Sequence, residues 1–356
     1  MSISKVPFFL ALLVFFTSCD GQVSIEFNSK KDKSQSQLIA SGKKVKRVDV
    51  GPVIFFEDNK GNLWLANDKL YRFDGKQLVR FSEEDGLPGE RIIRIDEDQN
   101  GALYINRIEG VMKFDENVFE ELEVNERKRN SDWRLEPGDL WFIVDFGENQ
   151  VYRSDGKWLY PLSFSNHPLE SQFADAFANP SFSPFGVYSI LVDDNGFPWF
   201  GTAAAGACRY DGKSFTWILE ENVMEFNEGS APGVRSMLED RNGNFWFNND
   251  ILHRYRMEDN NYIALAGIDT TQYTKMPFSF MSIAQAGNGD LWMTTYTEGV
   301  WLYDGENLIH YPIQKDGDDL ELYSIFADSN GEVWLGTHKE GVYRFDGYTF
   351  QSFTIE

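Results

Sequence analysis

The stretch Asp328-Ser329-Asn330-Gly331-Glu332-Val333-Trp334-Leu335-Gly336-Thr337, followed by Gly341-Val342-Tyr343-Arg344-Phe345-Asp346-Gly347, decides the fold. Asn-Gly between two apolar runs predicts a tight hairpin whose central residues both take positive φ, and Asp-Gly predicts a second one. The aromatic run Phe350-Gln351-Ser352-Phe353 closes the unit, so it reads as four short strands, a to d. The same unit recurs upstream. Its ring position is filled by Trp64, Tyr104, Trp141, Trp199, Trp246, Trp292 and Trp334, at intervals of 37 to 58 residues. Six copies are clear, and Pro137-Gly138-Asp139-Leu140-Trp141 is a degraded seventh. No window between the turns sustains apolar residues at i, i+3, i+4 and i+7, which nearly excludes helices. The expectation is an all-β, seven-bladed β-propeller of four-stranded blades over residues 50–356.

Composition agrees. The 356 residues include 10 Trp, 15 Tyr, 30 Phe and 30 Gly, a mix suited to many short strands and tight turns. The formal net charge of −23 argues against nucleic acid as a partner. Two Cys make no disulfide framework. The four His (His167, His253, His310, His338) fall in different units without metal-ligand spacing, so neither metal nor cofactor is expected.

The first residues read as an address. Val6 to Phe16 is an apolar run too short to span a bilayer and fits the core of a signal peptide over residues 1–18. Phe16-Thr17-Ser18-Cys19 resembles the lipobox of bacterial lipoproteins, which implies lipid on Cys19 and membrane attachment through it. Residues 19–49, rich in Lys and centred on Ser34-Gln35-Ser36-Gln37, are expected as a flexible, lipid-anchored tether. Together these place a monomeric protein in the bacterial cell envelope, periplasmic or on the outer-membrane surface.

The repeat itself, Asp-x-Asn-Gly-x-Leu-Trp-x-Gly-Thr then Gly-Val-x-Arg-Phe-Asp-Gly, resembles the two-component regulator propeller repeat. The last unit carries the resemblance most fully, through Asp328, Asn330, Gly331, Trp334, Gly336, Thr337, Gly341 and Arg344-Phe345-Asp346. The resemblance implies the extracytoplasmic sensing part of a sensor kinase. The sequence holds no kinase pattern, so the binding scaffold is what carries over, sensor-like without its own signalling output.

In such a ring the a–b and c–d turns share one face, and the b–c loops and blade links share the other. The first face is uniform Asn-Gly and Asp-Gly and reads as structure. The second varies, which is where a rigid scaffold places binding groups. Its candidate ligand-binding residues are Asn106, Arg107, Glu109, Asn249, Asp250, Tyr296, Glu298, His338, Lys339 and Glu340, a polar and aromatic set suited to a glycan or a protein partner. The long link Ser163 to Gly186, with several Phe and His167, is either a second binding element or a plug between blades 3 and 4. Binding without chemistry is the first expectation. The alternative is a propeller lyase or hydrolase acting on a polysaccharide or small molecule, with His338 and Glu109, Glu298 and Glu340 as acid–base candidates.

Overall fold

The computed structural model describes residues 38–356 apart from 116, 126–133, 137, 144–149, 165–166, 177–182, 220–223, 225–232, 249–251, 259–260 and 269–279, with 174–176 in backbone only. The signal peptide and Cys19 lie outside the described residues. From residue 38 on, the chain forms the expected ring of seven blades. The inner strands are Ile54–Glu57, Ile92–Glu97, Leu140–Ile143, Val187–Val192, Ser236–Glu239, Phe280–Gln285 and Leu322–Ala327, each packed beside the next. Blade 7 shows the plan: Leu322–Ala327 pairs with Val333–Thr337, that with Val342–Phe345, and that with Phe350–Ser352, all antiparallel. Among the described residues no helix is long and apolar enough to cross a membrane.

Three details differ from expectation. The a–b turns hold positive φ only at glycine (Gly61, φ 76°), not at both central residues. The Gly61 N–H bonds the Asp58 carbonyl at 2.9 Å, so the turn is a type I turn followed by a left-handed glycine. Blade 3 has no described strand inside Leu140–Ile143; its fourth strand is Glu123–Val124, parallel to Trp158–Ser163 at the outer edge. The stretch expected as tether ends earlier than residue 49, because Lys43–Val45 pairs with Leu78–Phe81 as a fifth, outermost strand of blade 1.

The repeat residues act together within blades 1, 2, 4, 5 and 7; blade 6 has Ala286 at the Asp position. The Asp that opens the a–b turn uses one carboxylate oxygen to hold the turn and the other to hold the ring. Asp58 Oδ1 accepts the N–H groups of Lys60 (3.0 Å) and Asn62 (2.8 Å), while Oδ2 accepts the Trp64 indole N–H at 2.8 Å. Asp193–Trp199, Asp240–Trp246 and Asp328–Trp334 repeat this at 2.9, 2.9 and 3.0 Å, and Asp98 takes the Tyr104 hydroxyl. The strand c cation then covers the ring from the paired position, as Arg344 does over Trp334 at 5.7 Å and Arg254 over Trp246 at 5.0 Å. Blade 3 has Leu135 where the Asp belongs, and Trp141 Nε1 there is buried without a partner among the described residues.

Two rings of hydrogen bonds join blade to blade. On the turn face, the residue after the Asp in blades 1, 4, 5 and 7 donates its N–H to an acidic or amide side chain of the next blade: Asn59 to Glu97, Asp194 to Glu239, Arg241 to Gln285 and Ser329 to Glu57. At the other end, serines on the inner strands do the same work. Ser189 donates to the Val234 carbonyl, Ser236 accepts from Ile283, Ser282 accepts from Ile325, and Ser324 donates to the Val53 carbonyl. The last link of each ring ties blade 7 to blade 1, so closure needs no exchanged strand. Gly336 belongs to this closure, because a Cβ there would sit 2.6 Å from the Val53 carbonyl oxygen. In blade 2, Asn106 replaces that glycine and bonds both backbone groups of Ile143 in blade 3, at 2.8 and 3.0 Å. Beside it, Arg94 is paired with Asp96 and reaches past blade 3 to the Ile190 carbonyl of blade 4 at 2.7 Å.

Asp240 shows how burial and hydrogen bonding oppose each other in the blade unit. Burial pushes its carboxyl up, yet hydrogen bonds from Asn244 and Trp246 outweigh this and hold it below the ordinary 3.8. Its stabilisation is therefore present above pH 3.8 and is lost as pH falls through the lowered value. Asp240→Ala is expected to cost about 3 kcal/mol in urea unfolding at pH 7, since buried donors lose their acceptor. The same change in a Trp246→Phe background should cost about 1 kcal/mol less.

Candidate functional site

Aligned on the turn Asp, the position five residues earlier reads Val53, Ile93, Tyr188, Arg235, Met281 and Tyr323 in blades 1, 2, 4, 5, 6 and 7. The position after it is the stapling serine in blades 4 to 7, and the position before it is apolar throughout, whereas this column is chemically mixed. In blades 2, 4, 6 and 7 it is the extra residue of a β-bulge at the start of the inner strand, which turns the side chain toward the axis. The column and its neighbours line an axial cavity of about 440 Å³, bounded by Ile54, Arg91, Ile143, Tyr188, Arg235 and Tyr323 among others, with every blade contributing. The inner strands begin where the b–c loops end, so the cavity lies on the loop face.

Two guanidinium–tyrosine pairs define it. Arg91 Nη2 donates to the Tyr323 hydroxyl, and its guanidinium carbon lies 5.3 Å from that ring. Arg235 lies 5.0 Å from the Tyr188 ring, and its Nε is buried without a hydrogen-bond partner among the described residues. The pairs come from blades 2 and 7 and from blades 4 and 5, on opposite sides of the ring. His338 packs edge-on against Tyr323 (5.0 Å) and Tyr296 (5.3 Å), and its Nε2 is also buried and unpartnered there. Burial holds the His338 imidazole below its ordinary range. Glu321 pulls it back, and Arg91, Lys339 and Arg235 push in the same direction as burial.

The residues expected on the loop face are placed as follows. Tyr296 and His338 stand at the cavity mouth. Asn106 is buried as the bond to blade 3, and Arg107 is 3% exposed between Glu90 and Glu121, both at 2.5 Å. Neither is open to a ligand. Lys339 is exposed and pairs with Glu321 at 2.8 Å, and Glu340 pairs with Lys315. Glu109 is exposed, and Glu298 offers its carbonyl to His310 at 2.6 Å. Asn249 and Asp250 lie outside the described residues. Arg91, Tyr188, Arg235 and Tyr323 were not anticipated; the mixed column before the turn Asp was a legible signal for the last three, and Arg91 lies outside it. Among the described residues no group of three His, Cys, Asp or Glu could hold a metal ion.

The described part of the 163–186 link is a plug. The helix Glu170–Ala176 sinks Phe173 fully into the blade 3–4 core, where it meets Phe185 and His167. His167 Nδ1 accepts the Leu169 N–H at 3.1 Å, and its ring lies 4.5 Å from that of Trp217.

No family model matches the sequence, and no curated protein matches it. Solved structures do. The extracellular domain of BT4673 from B. thetaiotaomicron, described as a hybrid two-component system, matches with a TM-score of 0.55 at 20% identity over 85% of this chain. This chain spans 39% of the length of that domain. Virginiamycin B lyase from Staphylococcus aureus matches with a TM-score of 0.61 at 13% identity, covering 85% of this chain and 97% of the lyase. YCF48 bound to D1 peptide matches at 0.53 and 11%, covering 87% and 99%. The likeness to an extracellular two-component propeller agrees with the resemblance carried by the repeats. At these identities the shared property is the propeller fold.

Burial in the plug lowers the His167 pKa to about 4 from an ordinary 6.5, since the neutral ring is favoured there. The unfolded chain then binds the extra proton between those values, so stability falls as pH drops from 6.5 toward 4. Unfolding free energy should decline by about 2–3 kcal/mol across that window through this group. His167→Phe should flatten that part of the profile, measured by urea unfolding at successive pH values.

Proposed function

We propose that this chain is an extracytoplasmic, ligand-binding β-propeller, anchored by lipid on Cys19 and sensor-like without turnover, with its site in the axial cavity of the loop face. One observation carries the reading. A cavity of about 440 Å³ draws on all seven blades, and its lining varies where the surrounding repeat does not. That volume lies within the usual range for small-molecule sites. It suits a glycan fragment or a short segment of a protein partner. The extracellular context of the BT4673 domain and the D1 peptide on YCF48 support the location and the binding role by analogy.

A lyase is the second reading, favoured by the likeness to virginiamycin B lyase and by the buried, unpartnered Nε2 of His338 at the mouth. Against it, the carboxylate beside His338, Glu321, is already bound to Lys339 at 2.8 Å and held below its ordinary pKa mainly by that bond.

Calorimetry of the full chain against panels of glycan fragments and peptides tests the proposal. Tyr323→Ala is expected to weaken any binding by about 10-fold or more, as loss of a buried contact at a site centre does. Tyr348→Ala, an exposed residue of a c–d turn, should leave it unchanged. Equal affinity in both variants overturns the axial site. Consumption of the bound compound, lost in His338→Ala, turns the reading to a lyase.

A further inference from the structure

Resting on the axial site just described, we propose that the cavity recognises an oxyanion: the carboxylate or sulfate ester of an acidic saccharide, or a free inorganic oxyanion of the same chemistry. The charge distribution is the first reason. The chain carries a net −23, with 56 acidic residues against 33 Lys and Arg, so a cation at a chosen point is readily matched by a nearby carboxylate. Several strand c and loop cations are matched in this way: Arg107 by Glu90 and Glu121, Arg153 by Asp139, Arg344 by Glu332, Lys339 by Glu321. Arg91 and Arg235 are different. Among the described residues neither has a carboxylate within ion-pair distance; each lies against a tyrosine instead.

Geometry is the second reason. Arg91 enters from blade 2 and Arg235 from blade 5, three blades apart in a ring of seven, so they flank one axial space from opposite sides. Like charges placed toward a shared, partly enclosed space repel when it is empty, and an anion between them relieves this. The planar guanidinium offers paired N–H donors that match carboxylate and sulfate oxygens two at a time. Seating each cation on a tyrosine restricts its rotation without consuming its charge. Tyr188 and Tyr323 therefore act as positioning residues. Glu321, beside His338, is engaged by Lys339.

The remaining lining fits a ligand that is anionic on one side only. Ile54, Ile93, Ile143 and Met281 supply the apolar part of the cavity lining. A saccharide of one or two rings bearing a single carboxylate or sulfate presents such an arrangement, with C–H faces against the wall and the anion at the guanidinium groups.

The test is calorimetry of the full chain with matched probes: a uronic-acid disaccharide and a sulfated disaccharide, the neutral disaccharide of the same linkage, and inorganic sulfate and phosphate. At least one anionic probe is expected to bind, and about 10- to 100-fold more tightly than the neutral disaccharide. Arg91→Gln and Arg235→Gln should each weaken that binding by about 10-fold or more, with partial recovery in Arg→Lys. Far-UV circular dichroism and thermal midpoints confirm that the variants are folded, and Arg344→Gln, outside the cavity, should bind as the unaltered chain does. Disaccharide binding above that of sulfate or phosphate assigns the anion to a saccharide; equal binding assigns it to a free oxyanion. A neutral disaccharide that binds as well as the acidic one, unaffected by either arginine change but lost in Tyr323→Ala, overturns the oxyanion and keeps the axial site. Binding of any probe that survives both arginine changes and Tyr323→Ala overturns both, as does the absence of binding by every anionic probe and every member of the glycan and peptide panels.

Discussion

In blades 1, 2, 4, 5 and 7 a single carboxylate ties the first turn to the core ring. The turn aspartate satisfies two backbone N–H groups with one oxygen and an indole N–H with the other, so a hairpin turn and a core tryptophan are fixed by the same side chain. The spacing of six residues from Asp to Trp is what lets the ring on strand b fold back over the turn. The cation on strand c then covers the tryptophan from the paired register position. Because turn, ring and cation lie on three successive segments, the unit sets the order and register of strands a, b and c without help from other blades. Burial makes it strong: an indole N–H or a turn N–H left without an acceptor in that core would cost about 1–3 kcal/mol.

A blade organised from its turn end leaves the opposite end of the inner strand less constrained. There the structural work falls on the stapling serines, on Asn106 and on the glycines that admit the next blade's carbonyl. The residue just before each serine points to the axis and bears on none of these bonds. It is free to vary, and it is where arginine, tyrosine, methionine and isoleucine replace one another around the ring. The variable position thus sits one residue away from the ring closure. Blade 3 shows the tolerance of the arrangement. With no turn Asp and no described inner strand beyond Leu140–Ile143, it is bridged by Asn106 from blade 2 and by Arg94 reaching to blade 4.

Net charge and local charge differ in sign. The acidic excess is spread over turns and strand surfaces, where water screens it. The axial cavity instead gathers two guanidinium groups and an imidazole whose neighbours include both. A whole-chain count therefore describes how the protein behaves toward nucleic acid or a charged surface, and says little about what its cavity accepts.

The sequence by itself determined the number of blades, the places of their turns and, outside blade 3, their strand order, because those features are encoded locally. A glycine that must take positive φ, an Asp six residues from a Trp, and alternating apolar residues act within about 40 residues of one another. The loop face was legible as the variable face, and Tyr296 and His338, read on it from the sequence, pack together beside the cavity residue Tyr323. Arg107 was not readable as a buried residue, since its partners Glu90 and Glu121 come from a link and another strand. Only the tertiary structure decided that the start of each inner strand faces a common space. Residues such as Arg91 and Tyr323 lie 232 positions apart and meet because seven blades close into a circle. That proximity is a property of the ring, and no single repeat contains it.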